Sequence, residues 1–166
     1  MVKTKSIILI LLVVMIGIWV ALRLSPSEEK RVKKQFHLLS EWGSKESRES
    51  AFMMAKKTKD IGTLFAEACR LEADSASLSG TYTPDEISSF AVKARLQFSE
   101  VSLRFYDLDV EFPNEDTAKV LLTARLTGRL IAGDYVNEVH EFTSVLKKIE
   151  NRWLFSSFEV IDVLEK

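Results

Sequence analysis

The sequence predicts an α+β domain carried on one N-terminal membrane span. Three N-terminal helices are expected to pack on a strongly curved antiparallel sheet made of a short hairpin and a four-strand meander. Three observations predict it. Residues 6 to 22 carry no charge and stand between Lys5 and Arg23. Two helix-start signatures, Ser25-Pro26-Ser27-Glu28 and Thr83-Pro84-Asp85-Glu86, combine a capping box with proline at the first helical position. From Phe98 onward the hydrophobic period drops to two, the period of a half-buried strand.

The apolar run of seventeen residues reaches ~26 Å as a helix, at the short end of what crosses a hydrocarbon core. Lys5 and Arg23 extend it by snorkelling to the headgroups. A secretory signal would need small residues at −3 and −1, and the candidate Ala21 has Trp19 at −3, so an uncleaved anchor is expected. Lys3 and Lys5 favour a cytoplasmic N-terminus, while Lys30, Arg31, Lys33 and Lys34 pull the other way over a longer window. Weighting the immediate flanks gives a single-pass membrane protein whose domain is extracytoplasmic. The expected organisation is a tail at 1–5, an anchor at 6–22, a linker at 23–27 and a domain at 28–166.

Composition excludes several functions. Setting aside Lys3, Lys5 and Arg23 from the 23 basic residues leaves 20 against 24 acidic ones, which lacks the basic footprint nucleic acid requires. One cysteine, Cys69, and two histidines make neither an internal disulfide nor a zinc site. Cys69 alternates with Leu71 and reads as a small buried hydrophobe.

The first helix, over 26–42, carries Val32, Phe36, Leu39 and Trp42 on one face and stops at Gly43. A second is expected from Ser47 to Lys57 with Ala51, Met54 and Ala55 inward, then a turn near Asp60. Residues 67–73 alternate as a short strand, with Ser75–Tyr82 as its hairpin partner or a loop. The third helix follows Thr83, with Ile87, Phe90, Ala91 and Ala94 inward. Four long strands are expected at 98–112, 117–131, 135–149 and 152–164, separated by Pro113-Asn114-Glu115-Asp116, Ala132-Gly133-Asp134 and Glu150-Asn151. Strands near fifteen residues span ~50 Å and must twist, so a bulge is expected where the apolar parity slips, at Tyr106-Asp107-Leu108.

Three helices, a short hairpin and then Lys147-Lys148-Ile149-Glu150-Asn151-Arg152-Trp153-Leu154-Phe155 give a pattern that resembles the nuclear transport factor 2-like, or cystatin-like α+β cone, superfamily. The resemblance rests on element order and on a final hairpin whose tight turn is followed by a basic residue and a tryptophan. It covers residues 28–166 and implies a conical pocket between sheet and helices. The family's usual turn is Asp-Gly; here Asn151 supplies the positive φ.

Enzymes of that family place acids and bases inside the cone. The ketosteroid-isomerase pattern requires a tyrosine on the first helix, and residues 26–42 have none. An Asp-Arg-Asp set of the epoxide-hydrolase type would have to use Asp107, Arg125 and Asp109, yet Arg125 has the parity of the polar face. The pattern pairing histidine with an acid leaves His140, Glu138 and Asp107 as pocket candidates, with a rim position for His140 as the alternative. His37 lies off the apolar stripe, and Lys30-Arg31-Val32-Lys33-Lys34 is a wet helix face close enough to the membrane to touch anionic headgroups. No nucleophile motif, phosphate loop or metal cluster occurs, so no cofactor is expected. The reading is a membrane-anchored binding or assembly module without catalysis. Its sheet face, bearing Lys119, Arg125 and Arg129, would meet a protein partner or a second copy. The alternative is a small-molecule enzyme or carrier, of isomerase, dehydratase or cyclase type, using the cone pocket.

Overall fold

A computed structural model describes residues 13–15, 28–73 and 78–161. The chain divides into two units, Met1–Arg31 and Val32–Lys166. In the first, residues 13–15 and 28–31 are helical, and Arg31 Nη1 donates to Glu28 Oε1 at 2.7 Å. Among the described residues no helix is long and apolar enough to cross a membrane. The span expected at 6–22 and the first capping box lie, except for residues 13–15 and Glu28, outside the described residues.

The second unit takes α1 (residues 28–43, from Val32 onward), α2 (Ala51–Gly62) and α3 (Pro84–Gln97). Its strands are β1 (Phe65–Ala73), β2 (Leu78–Tyr82), β3 (Phe98–Asn114), β4 (Thr117–Leu130), β5 (Tyr135–Ile149) and β6 (Arg152–Ile161), in spatial order β2-β1-β6-β5-β4-β3. The meander and the short hairpin occur as expected. The sheet, however, is mixed rather than wholly antiparallel, because β1 runs parallel to β6, pairing Phe65 with Phe155 and Leu71 with Phe158. A parallel neighbour needs a long crossover, and β2, α3 and the whole meander supply it.

Local chemistry explains most boundaries. Thr83 and Glu86 form a complete capping box, with Glu86 Oε2 accepting from Thr83 N at 2.8 Å. That backbone bond, with the Thr83 hydroxyl, lowers the Glu86 pKa. The β5–β6 turn has Glu150 at φ 48° and Asn151 at φ 61°, the paired positive values of a type I′ hairpin. The bulge lies where expected: between Tyr106 and Asp109 the register to β4 shifts, and Asp107 adopts φ 54°.

Gly128 permits a close approach between β4 and β3. A Cβ there would meet Glu100 O at 2.6 Å and Phe98 Cδ1 at 2.9 Å, so only glycine allows β3 and β4 to close up at this level.

Two helix faces differ from expectation. In α2, Ala51 and Ala55 are exposed, and Thr58, Ile61 and Gly62 are buried instead, because the helix continues past Lys57 and its last turn makes the contact. In α3, Ala94 is exposed and Arg95 is buried. The core joins Val32 and Phe36 of α1 to Val120 and Leu122 of β4, Leu146 of β5, Trp153 and Phe155 of β6, and Cys69 of β1. Phe36 packs edge-on against Phe155 at 4.9 Å and Phe105 at 5.5 Å. Burial pushes the Cys69 thiol up to about 12, so it is an inert core atom.

Candidate functional site

The inner face of the curved sheet is solid at one end and hollow at the other. Along β4 the inward residues Ala118, Val120 and Leu122 are buried, whereas Ala124 and Leu126 are only half-buried. Register carries this gradient across the sheet: Leu122 faces Phe142, Ala124 faces both Phe105 and His140, and Leu126 faces Leu103 and Glu138. Where side chains stop filling the cone, a cavity of about 250 Å³ remains. Phe65, Phe105, Phe142 and Phe158 wall it on the sheet side, and Leu39 of α1 and Ile87 of α3 close the helix side.

Its chemistry is almost entirely carbon. Among the described residues Glu72 is the single ionisable one in the lining, and its Oε1 accepts from Arg70 Nε at 2.8 Å and from Nη2 at 2.5 Å. The cavity offers shape, dispersion contact and aromatic faces rather than acid–base groups.

A larger groove of about 900 Å³ runs between α2, α3 and the β1 and β6 ends, and takes in Met54, Lys59, Asp85, Val92 and Arg152. Charged residues are interspersed in its lining, whereas the lining of the smaller cavity is almost wholly carbon, which makes the smaller one the better site for an apolar ligand.

The structure brings two of the three sequence candidates together. His140 Nε2 lies 3.4 Å from Glu138 Oε2, at side-chain exposures of 44% and 61%. The pair stands on the inner face beyond the cavity, with the His140 ring 6.4 Å from that of Phe142. Asp107 occupies the β3 bulge, is exposed, and has no ion pair or hydrogen bond to either among the described residues. Arg125 faces solvent and donates from Nε to Asn137 Oδ1 at 3.1 Å, so Asp107, Arg125 and Asp109 form no set. Sequence reading missed the cavity wall itself. The parity of Leu103, Phe105 and Ala124 was readable, but nothing marked Glu72 as part of the lining.

A second polar constellation is structural. Arg95 enters from α3, donates from Nη1 to Trp42 O at 2.5 Å and Ser44 O at 2.8 Å, and pairs through Nη2 with Glu49. Lys57 Nζ lies 2.8 Å from the other Glu49 oxygen. Burial alone would raise the Glu49 pKa, but Lys57 and Arg95 together hold it below its ordinary value.

No family model and no curated protein matches the chain. Solved structures do. The Kfla4162 protein from Kribbella flavida superposes with a TM-score of 0.71 at 12% identity, over 86% of this chain and 95% of its own. A type 2 hexachlorocyclohexane dehydrochlorinase (LinA) gives 0.66 at 12% identity, over 82% and 86%. The type 3 enzyme from Novosphingobium barchaimii gives 0.63 at 12%, over 82% and 87%. At such identity the likeness concerns the fold alone, and that fold is the nuclear transport factor 2-like cone.

Proposed function

We propose that the protein uses its cone to hold a small, uncharged, largely apolar molecule, ring-shaped by preference, as a carrier or as the binding half of a small-molecule enzyme. The carrying observation is the cavity of about 250 Å³ whose walls include four phenylalanines and, among the described residues, one carboxylate, which is tied to an arginine. Two of the fold's relatives are named for hexachlorocyclohexane, a small apolar ring, which supports a small-molecule use of the cone. This displaces the pure assembly module as first choice. A catalytic reading has one observation of its own: His140 and Glu138 pair just past Phe142, where a proton relay at the cavity mouth would stand.

Ala124→Leu tests the cavity, because its extra carbons project from the sheet into empty space. With the full chain, fluorobenzene is expected to shift the Leu103 and Leu71 methyl signals of wild type in a saturable way and to leave those of Ala124→Leu unmoved. Equal shifts in both proteins would place the ligand elsewhere.

The anchor at 6–22 and the extracytoplasmic placement belong to the same proposal, supported by the uncharged run between Lys5 and Arg23. Mass spectrometry of protein extracted from membranes is expected to give an intact N-terminus. A mature start between Leu22 and Ser27 would mean a cleaved signal.

A further inference from the structure

Ala51-Phe52-Met53-Met54-Ala55 opens α2 with five apolar residues in a row. Ala51, Phe52, Met53 and Ala55 are exposed, and Met54 is half-buried. Phe52, at 76%, is the most exposed large hydrophobic residue among those described. Ser50 fixes the start of the helix, its hydroxyl accepting from Met53 N at 3.2 Å, so the outward phase of Phe52 is built into the fold. The first turn carries no acid. Bases surround the run instead: Arg48 precedes it, and Lys56 and Lys59 follow Phe52 at i+4 and i+7 on the exposed face. One carboxylate, Asp60, is shared with this face, 3.7 Å from Lys56 Nζ. The neighbouring α3 runs antiparallel: Gly62 abuts Pro84 and Ser88, Ala55 and Val92 line one groove, and Glu49 pairs with Arg95. The last turn of α3 therefore brings the exposed Lys93 and Leu96 to the same end.

A run of exposed apolar residues is a liability unless something covers it. We propose that this end of α2 rests on an anionic phospholipid bilayer, with Phe52 and Met53 below the headgroups and Arg48, Lys56 and Lys59 among the phosphates. Apolar side chains rimmed by bases are the composition of a helix that lies in a membrane interface. Each base at an anionic surface adds attraction that falls off within a Debye length. A second copy docking through the same face would set bases against bases, which disfavours it as the occupant. The proposed anchor at 6–22 supplies a bilayer, and the docking is separable from it.

The test uses the full chain with nanodiscs whose phosphatidylcholine carries a spin label in the acyl chain, and follows methyl line widths. With phosphatidylglycerol in the disc, the Met53 and Leu96 methyl signals are expected to broaden. Those of Leu121 and Val139, on the outer sheet face, should stay sharp. Discs of phosphatidylcholine alone, or high salt, should sharpen Met53 again. Lys56→Gln and Lys59→Gln should each lower the ratio of docked to free domain about fivefold, while Lys119→Gln, the same charge change on the outer sheet face, leaves it unchanged. Phe52→Ser should abolish the broadening yet melt like wild type, because the ring stands outside the core. The Met15 methyl, inside the 6–22 run, reads the anchor separately: a sharp Met15 beside a broadened Met53 would remove the span and leave the docking standing. A sharp Met53 in phosphatidylglycerol discs, or broadening indifferent to lipid charge, would overturn the proposal. So would a Met53 shift that follows protein concentration rather than lipid, which would identify a second copy.

Discussion

Trp153→Ala is expected to leave the domain unfolded or close to it. The indole is 2% exposed, stands second in β6 after Arg152, and lies in the core cluster with the Phe112 ring at 5.8 Å. Truncating a buried aromatic costs ~3–5 kcal/mol through lost burial and the cavity left behind. A domain is held by only ~5–15 kcal/mol in total. His140→Ala, by contrast, removes a ring that is partly exposed at the mouth of the cone and should cost about 1 kcal/mol or less. Parallel urea melts of the two variants check the ordering. A wild-type midpoint for Trp153→Ala would mean that β6 does not seal the core, and a large loss for His140→Ala would mean that the rim pair is a stability element.

Glu49→Ala is expected to be nearly as damaging. It leaves Arg95, whose side chain is 3% exposed, buried with its charge partner gone. Removing one member of a buried pair typically costs ~3–5 kcal/mol, most of it the uncompensated charge. The loss should spread beyond one contact, since Arg95 also holds the carbonyls of Trp42 and Ser44 at the end of α1. The same group sets an acid response. The folded-state pKa of Glu49 lies below its ordinary value, so its contribution is complete above the ordinary carboxylate range and is lost as pH falls through the depressed value. Wild type should therefore lose more stability than Glu49→Gln between neutral pH and pH ~3, a span set by reference carboxylate values. Parallel acid losses in the two proteins would show that the carboxylate is not held ionised.

How much of this was legible depended on the range of the interaction. The α3 capping box, the Glu150-Asn151 turn and the bulge at Asp107 rest on contacts within a few residues, and the sequence alone located all three. The alternation of Val120, Leu122 and Ala124 against Lys119 and Arg125 likewise fixed which face of β4 turns inward. The parallel closure of β1 on β6 was not legible, because both strands have ordinary alternating patterns and their pairing is decided by how the whole meander curls. Arg95 was not singled out. Its signal was present: Ile87, Ala91 and Arg95 follow at intervals of four, so the arginine continues the apolar stripe of α3.

The cavity was the least legible feature. An inward-facing Phe142 or Phe158 looks the same in a sequence whether it fills a cone or walls a space in it. Its location depends on where the sheet residues Phe105, Phe142 and Phe158 and the helix residues Leu39 and Ile87 fail to meet.

The central claim is that the hollow end of the cone is a ligand site, and the most direct test is anomalous diffraction from crystals of the full chain soaked in bromobenzene. The expected result is a bromine peak among Phe105, Phe142 and Phe158, absent from Ala124→Leu crystals grown and soaked in the same way. A peak instead in the groove between α2 and α3, beside Met54 and Val92, or an empty cone at saturating bromobenzene, would contradict it.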